Sequence, residues 1–582
     1  MAARSIALDW LAHNELPSVS QMLYNTPPAP AWWLKYFYSV GSLAFGCAGI
    51  LLTEALRRHF VPSAPPNIAL LSLQFLLNSF ASEIPLNLIL HAISTPHGTQ
   101  PSTARLAPPA VVLINYNLKA YGLTEIETCF ENVTRTMQAM LEATDDSVTV
   151  HLCIVSTTTD TMLRSVEKTI ADQKKRAFGD RFHYLYRTSS HLRKCGNYHD
   201  LISFCGGAND AIYFDRNAST TDIDVLPELN IRYTLVLDSD NTIDGASIKK
   251  LVQIAEDEPE YGIFQPNVVI TGEKTFYQHV YATMTNLHAN LSFGVFQKFK
   301  HSPFYGKGLL RNSVYNDDVI EPAAIPVFAL SHDTVESTIL PTRFVVNASI
   351  TETSPRSFVD WSLREERWNA GDIAAFAAAL PACRNLKIAN IFQRLFFATA
   401  AVRVLVCRPI LLAFLLAGCY QNNSNDFMIF SMFFAWTMTF ACTTIAYFLA
   451  NSFLKLYTFR RVAASILCST FFYAAEPIIG TLRLVKSIKR LCVLFCGVGN
   501  AWIPSGLVEE RNYEIGYLKA ALNEFWLSSV IGICLLYNFS ASKFVWFFAL
   551  PPLALPVLTF LTAKTQYPSI VCKELTSDEM RV

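Results

Sequence analysis

Two regimes of hydrophobicity alternate along the chain. Long apolar runs occupy residues 32–56, led by Trp32-Trp33, and 67–93; they return at 392–417, 427–454, 462–482, 523–540 and 544–563. About 20 apolar residues cross a bilayer core, so the pattern predicts at least seven membrane spans, two ahead of a polar region and the rest behind it. The stretch 462–500 stays open: Glu476-Pro477 and the basic group Arg483, Lys486, Lys489 and Arg490 suit a broken span, a re-entrant hairpin or an interfacial helix. From about 106 to 385 the hydrophobicity falls. Short β-type runs (Ala110–Asn115, Val148–Ser156, Tyr233–Leu237, Gly262–Pro266) alternate there with polar helical stretches such as Glu125–Ala143 and Ala246–Asp257, which predicts an α/β domain with a largely parallel sheet. The expected organisation is an N-terminal segment (1–31), a two-span hairpin (32–105), the α/β domain (106–385), a C-terminal bundle with interfacial segments (386–565) and a tail (566–582).

Composition agrees: 51% of residues are hydrophobic and only 16% charged, too apolar for a soluble protein of 582 residues. Basic and acidic residues balance at 47 each, so no field attracts nucleic acid, which is not an expected partner. The 14 cysteines are scattered without zinc-like spacing and read mostly as buried thiols. The amino terminus, with Asp9, His13 and Glu15, lacks the pattern of a cleavable signal, so the first span is expected to remain as an anchor. Arg384, Lys387, Arg394, Lys455, Arg460 and Arg461 outweigh Arg57-Arg58 and place the polar domain in the cytosol, leaving sequons such as Asn132-Val133-Thr134 unused.

Candidate chemistry begins at Asp238-Ser239-Asp240, directly after the apolar run 233–237. A strand ending in two carboxylates one residue apart sets both at the carboxyl edge of a sheet, where a hard divalent cation and a diphosphate can be held together. Taken alone, the tripeptide is more often a solvated turn or a helix cap than a metal site. Three islands follow: Tyr305-Gly306-Lys307-Gly308, then Ser331-His332-Asp333-Thr334-Val335-Glu336, then Arg364-Glu365-Glu366-Arg367-Trp368 running into Gly371-Asp372. Singly, Asp333 reads as a cap, Lys307 as part of a glycine turn, Trp368 as junction packing and Arg364 and Arg367 as a charged helix face.

The order is more specific than any member. A strand-end DxD, an acidic triplet about 95 residues later and an xxxRW helix about 30 further on resemble the layout of processive family 2 polysaccharide synthases. Arg193-Lys194-Cys195-Gly196-Asn197, Ser331-His332-Asp333 with Glu336, and Trp502-Ile503-Pro504-Ser505 with Glu509-Glu510-Arg511 resemble the bacterial glucan-biosynthesis glucosyltransferase H family. Gly306-Lys307-Gly308 and Arg367-Trp368 with Gly371-Asp372 resemble the synthase core of cyclic β-1,2-glucan synthases.

That resemblance implies a Rossmann-like GT-A domain inserted in a multi-span α-helical membrane domain, a UDP-glucose donor, Mg²⁺ or Mn²⁺, and a β-linked glucan as acceptor and product at a bilayer. On it, Asp238 and Asp240 hold the cation, Asp333 is the general base, and Arg367 pairs with the diphosphate. Trp368 offers a face to an acceptor sugar, with Lys307 and His332 beside it, Lys194 adds a phosphate-neutralising charge, and Asn197 is a nearby donor. Asn115, Asn117 and Asp160, at the ends of the first two predicted strands, are nucleoside candidates. The sequence departs from the pattern at Ser156-Thr157-Thr158, where relatives carry an acidic residue in the middle, and at Arg364, where they carry Gln. Two rival readings remain: the same architecture making chitin, mannan or a hyaluronan-like polymer, and a non-catalytic transporter or scaffold.

Overall fold

A computed structural model describes residues 34–60, 110–142, 148–189, 191–207, 214–220, 225–325, 332–382, 444–452, 454–495, 505–539 and 545–564, with short pieces such as 86–90 and 408–409. Helix α1 (Leu34–Phe60) precedes the domain. Among the described residues the domain contains eight strands: β1 (Ala110–Leu118), β2 (Val148–Ser156), β3 (Phe182–Tyr186), β4 (Tyr233–Asp238), β5 (Thr242–Ile243), β6 (Ile263–Thr271), β7 (Gly308–Arg311) and β8 (Thr342–Thr353). Between and after them run α2 (Leu123–Glu142), α3 (Thr161–Phe178), α4 (Arg193–Cys205), α5 (Gly245–Asp257), α6 (Phe276–Phe299), α7 (His332–Ile339) and α8 (Phe358–Ala382).

The strands form one sheet in the order β3-β2-β1-β4-β7-β6-β8-β5. The expectation of a largely parallel sheet holds: β6 and β8 pair parallel and run in the direction of β3, β2, β1 and β4, and only β7 and β5 are reversed. β3, β2, β1 and β4 are parallel, whereas β7 runs antiparallel to both β4 and β6, and β5 antiparallel to β8. The parallel half is a Rossmann-like unit, and with its mixed extension it fits a GT-A-like domain. The period of two decides the layers: Val112, Ile114, Tyr116 and Leu118 face a core shared with Ile126, Phe130 and Val133 of α2 and Leu251 of α5, while Leu113 faces Leu201 and Phe204 of α4. A strand buried on both sides reads as an unbroken apolar run, which is why Tyr233–Leu237 lacks alternation.

Past the domain lie α9 (Phe459–Phe495), α10 (Ser505–Ile515), α11 (Tyr517–Phe539) and α12 (Val545–Lys564). Three helices among the described residues are long and apolar enough to cross a membrane: Phe459–Val493, Tyr517–Asn538 and Val545–Lys564. They cover the expected runs 462–482, 523–540 and 544–563; α1 holds a shorter apolar stretch, Val40–Leu52. The expected spans 67–93, 392–417 and 427–454, and the two terminal segments, lie mostly or wholly outside the described residues. The ambiguous stretch 462–500 is one continuous helix through Pro477 as far as Phe495, not a break or a hairpin. The domain joins these helices through an aromatic seam in which Phe358 stacks on Phe472 with ring centroids 4.2 Å apart. Of the described cysteines, Cys129, Cys153, Cys195 and Cys205 are buried free thiols, whereas Cys47, Cys492 and Cys534 face outward.

Candidate active site

Parallel strands lead their carboxyl ends to one edge. β4 ends at Asp238, opposite Asn117 of β1. Asn117 Nδ2 donates to the Leu237 carbonyl at 3.1 Å, and buried Asn115 Nδ2 lies 3.4 Å from Asn117 Oδ1. Asn115 Oδ1 is buried without a hydrogen-bond partner, leaving an acceptor to spare at this edge. The turn after β4 is held by Asn241, whose Oδ1 accepts the Asp238 amide at 3.0 Å and whose Nδ2 lies 3.3 Å from Asp240 Oδ1.

Lys194 reaches the same edge from the first turn of α4, after two left-handed residues, Leu192 and Arg193. Its Nζ lies 2.6 Å from Asp238 Oδ1 and donates to the Gly306 carbonyl at 2.8 Å. Gly306 has φ +70°, and a β-carbon there would sit 3.6 Å from both Lys194 Nζ and Asp333 Oδ2, so this turn lies against the cation and the postulated base alike. Buried Lys307 pairs with Glu352 of β8 and stands 3.6 Å from Asp238 Oδ2. Burial opposes ionisation of Asp238, but Lys194 and Lys307 outweigh it and hold its carboxyl down at about 2. Asp240 is the converse: burial, then Glu352 and Asp238, push it up to about 6.

Asp240 is therefore an under-compensated anion with two long hydrogen bonds, from Asn241 and from Thr353 at 3.4 Å. Asp240 and Asp238 are hard oxygen donors that would hold a divalent cation, and its charge would compensate theirs. A second grouping, Cys195, His199 and Glu336, has ligand atoms within 4.8 Å of one another. The Tyr315 hydroxyl hydrogen-bonds both His199 and Glu336, filling the space between them, and the cluster is closed by hydrogen bonds.

Asp333 is the second residue of α7, its Oδ1 accepting the Thr334 amide at 3.0 Å. Burial raises its carboxyl above the ordinary aspartate range, with His332 and Lys194 pulling the other way. His332 Nδ1 lies 3.0 Å from Tyr198 Oη and 3.1 Å from Glu336 Oε2. Trp368 is 39% exposed, with the Arg364 guanidinium 4.6 Å from its ring centroid. Arg367 is buried in the field of Arg364, Arg490, Glu509 and Glu366. Burial, then those two arginines, lower its guanidinium to about 10.

Two expected residues do other work. Asn197 is buried in α4, where its Oδ1 accepts Arg187 Nη1 at 3.3 Å. Asp160 caps α3, accepting the Met162 and Leu163 amides at 2.8 and 3.0 Å. Ser156 and Thr158 of the departing triplet both donate to buried Glu167, which anchors the turn after β2. The sequence reading missed Glu352, which binds Lys307 and, at 2.6 Å, Arg364 Nη2. Its signal was weak: an acidic residue at a strand end, as in Asp238, but without a partner nearby in sequence.

No family model matches the chain. A glucans biosynthesis glucosyltransferase H of Cereibacter sphaeroides is 25% identical over 254 residues, 41% of this chain and 39% of that protein. Its namesake in Caulobacter vibrioides is 22% identical over 254 residues, 41% and 35% respectively. The match thus spans well under half the length of these curated relatives. Among solved structures, the mannosyltransferase PcManGT of Pyrobaculum calidifontis, determined with GDP-Man and Mn²⁺, superposes with a TM-score of 0.37 at 12% identity, covering 72% of this chain and 99% of that one. With the curated relatives set beside the residues gathered at the strand edge, the chain resembles a glycosyltransferase of the glucan-synthase type.

Proposed function

We propose that the protein is a multi-pass membrane glycosyltransferase that transfers glucose from UDP-glucose to a growing β-glucan with inversion, β-1,2 being the first linkage to test, at a catalytic domain facing the cytosol. The observation that carries this reading is convergence. Asp238 and Asp240, Lys194, Gly306-Lys307 and Asp333 come from four separate segments to one strand edge.

Asp333 takes the proton of an acceptor hydroxyl while that oxygen attacks the anomeric carbon; the bond to the diphosphate breaks with its electron pair leaving on UDP. Attack from the face opposite UDP turns an α-linked donor into a β-linkage. Lys194 and Lys307 face the departing diphosphate, and Arg367 is the third cation assigned to it. Asp238 and Asp240 would hold Mg²⁺ or Mn²⁺, whose chemistry is Lewis-acid neutralisation of the leaving group. Asn115 and Asn117 offer polar groups for the nucleoside, and the exposed face of Trp368 is a platform for an acceptor sugar.

The test is UDP release by detergent-purified protein with UDP-glucose and Mg²⁺ or Mn²⁺, against a panel of other UDP- and GDP-sugars. Turnover with UDP-glucose followed by β-linkage in the product supports the proposal. Turnover only with another donor keeps the mechanism and overturns the glucan, and no turnover with any donor overturns the enzyme reading.

A further inference from the structure

We propose that Glu352 is a positioning residue that fixes the donor side of the cleft to the acceptor side. This rests on the glycosyltransferase reading above. Glu352 is buried at the end of β8, and each of its carboxylate oxygens takes a different cation: Oε2 holds Lys307 Nζ, and Oε1 holds Arg364 Nη2 at 2.6 Å. Each cation has a second engagement. Lys307 stands 3.6 Å from Asp238 on the donor side, and Arg364 lies over the ring of Trp368 on the acceptor side. The next residue, Thr353, donates to Asp240 at 3.4 Å. One strand end therefore touches Asp240, Lys307 and Arg364, and through the two cations it reaches Asp238 and Trp368.

The charges explain why the link is needed. Arg364 and Lys307 meet on one carboxylate, in a cleft that already contains Lys194. Unpaired, Arg364 would be driven from the other cations and off the indole face, while Lys307 would turn fully onto Asp238. With both oxygens of Glu352 in use, Lys307 and Trp368 are held at a fixed separation, and Arg364 acts through Glu352.

The experiment compares two reactions of the same protein: hydrolysis of the donor sugar nucleotide, with water as acceptor, and transfer to glycan. Glu352→Gln should lower transfer relative to hydrolysis by roughly tenfold or more, as expected when a reacting group is displaced by about an ångström, and raise the acceptor KM. Glu352→Asp should recover part of the loss. Arg364→Gln should shift the same ratio, and the double variant should be no worse than Glu352→Gln alone, since the two act as one unit. Equal losses in both reactions, or losses that multiply in the double variant, overturn the proposal. If Glu352→Gln does not fold, Arg364→Gln alone must still move the ratio, and an unmoved ratio overturns it. A wild-type protein that turns over no sugar nucleotide fails the functional reading itself, a result seen before any variant is compared.

Discussion

Glu336 ties α7, the helix that carries Asp333, to Tyr198 and Tyr315. It is fully buried, one oxygen accepts the hydroxyls of Tyr198 (2.6 Å) and Tyr315, and the other faces His332 Nδ1 at 3.1 Å. Burial opposes its charge, yet His332 and the hydroxyls hold its carboxyl at about 2. His332 is likewise raised against burial by Glu336. Glu336→Gln keeps the shape but presents an amide to these donors and leaves His332 unpaired. Removing one partner of a buried ion pair costs about 3–5 kcal/mol, a large part of the roughly 5–15 kcal/mol total stability of a domain. At about 2–4 °C per kcal/mol for a domain of comparable size, the melting midpoint in detergent should fall by roughly 6–20 °C. The pH dependence has two arms of opposite sign. A depressed carboxyl contributes stability above its unfolded value of about 4.5, lost only as pH falls through about 2. A raised imidazole contributes stability that is complete below its unfolded value of about 6.5 and lost as pH rises through the folded one. The gap between wild type and Glu336→Gln should therefore be widest between about pH 4.5 and 6.5 and narrow on the alkaline side. A midpoint shift below about 2 °C, worth under 1 kcal/mol, or a gap flat across this range, refutes the reasoning.

Asp333→Asn should cut sugar transfer by about 10²–10⁴-fold, the usual worth of a general base, while UDP binding is kept. In the wild type, turnover should decline on acidification through a value above that of ordinary aspartate, because burial raises the Asp333 carboxyl; an unaffected Asn variant would remove it from the mechanism. Chelation should abolish turnover and added Mn²⁺ or Mg²⁺ restore it, with Asp240→Asn needing more metal for half-maximal rate; full activity in chelator would rule the cation out. Alanine for glycine inside a helix normally gains about 1 kcal/mol. At Gly196, however, a β-carbon would press on the His191 carbonyl and come within 2.6 Å of Arg187 Nη2. Gly196→Ala should thus lose roughly 1–3 kcal/mol by overpacking and loosen Lys194, and a raised melting point would contradict this.

Local order was legible where pattern and burial coincide. The run Val148–Ser156 is β2 to the residue, and the run ending at Leu237 stops one short of β4. The segment Gly262–Pro266 caught only the first half of β6, because register shifts between Pro266 and Asn267 and the strand continues. β8 passed unrecognised, since Asn347 and Ser349 interrupt its apolar residues, and with it went Glu352, whose partners are 12 and 45 residues away along the chain. Antiparallel β7 could not be foreseen, because four residues beside a glycine turn carry no directional signal. Asp160 looked like a ligand for the reason that it is a cap: short carboxylates at strand-to-helix turns suit both tasks.

The charges in 462–500, which resembled a break in a span, brace the site instead. The 37 residues of α9 make a rod of about 55 Å at 1.5 Å per residue, longer than the roughly 30 Å hydrocarbon core. Its surplus runs along α8. Arg483, 1% exposed, pairs with Glu365 and with Glu476, donates to Ser362 Oγ at 3.2 Å and lies over Trp361. Two turns on, Arg490 pairs with Glu366 at 2.6 Å, and Arg408 adds pairs to Glu365 and Glu476. The positions on α8 divide accordingly: Trp361, Ser362, Glu365 and Glu366 meet α9, while Arg364 and Trp368, four residues apart, turn to the cleft. Buried ions stabilise little by themselves and cost heavily when a partner is lost, so this lattice is better understood as fixing geometry than as adding stability. It braces α8, whose Arg364 and Trp368 turn to the cleft, against a helix long enough to cross a bilayer. Glu352, paired with Arg364 of α8 and with Lys307, then links α8 to the strand edge that carries Asp238.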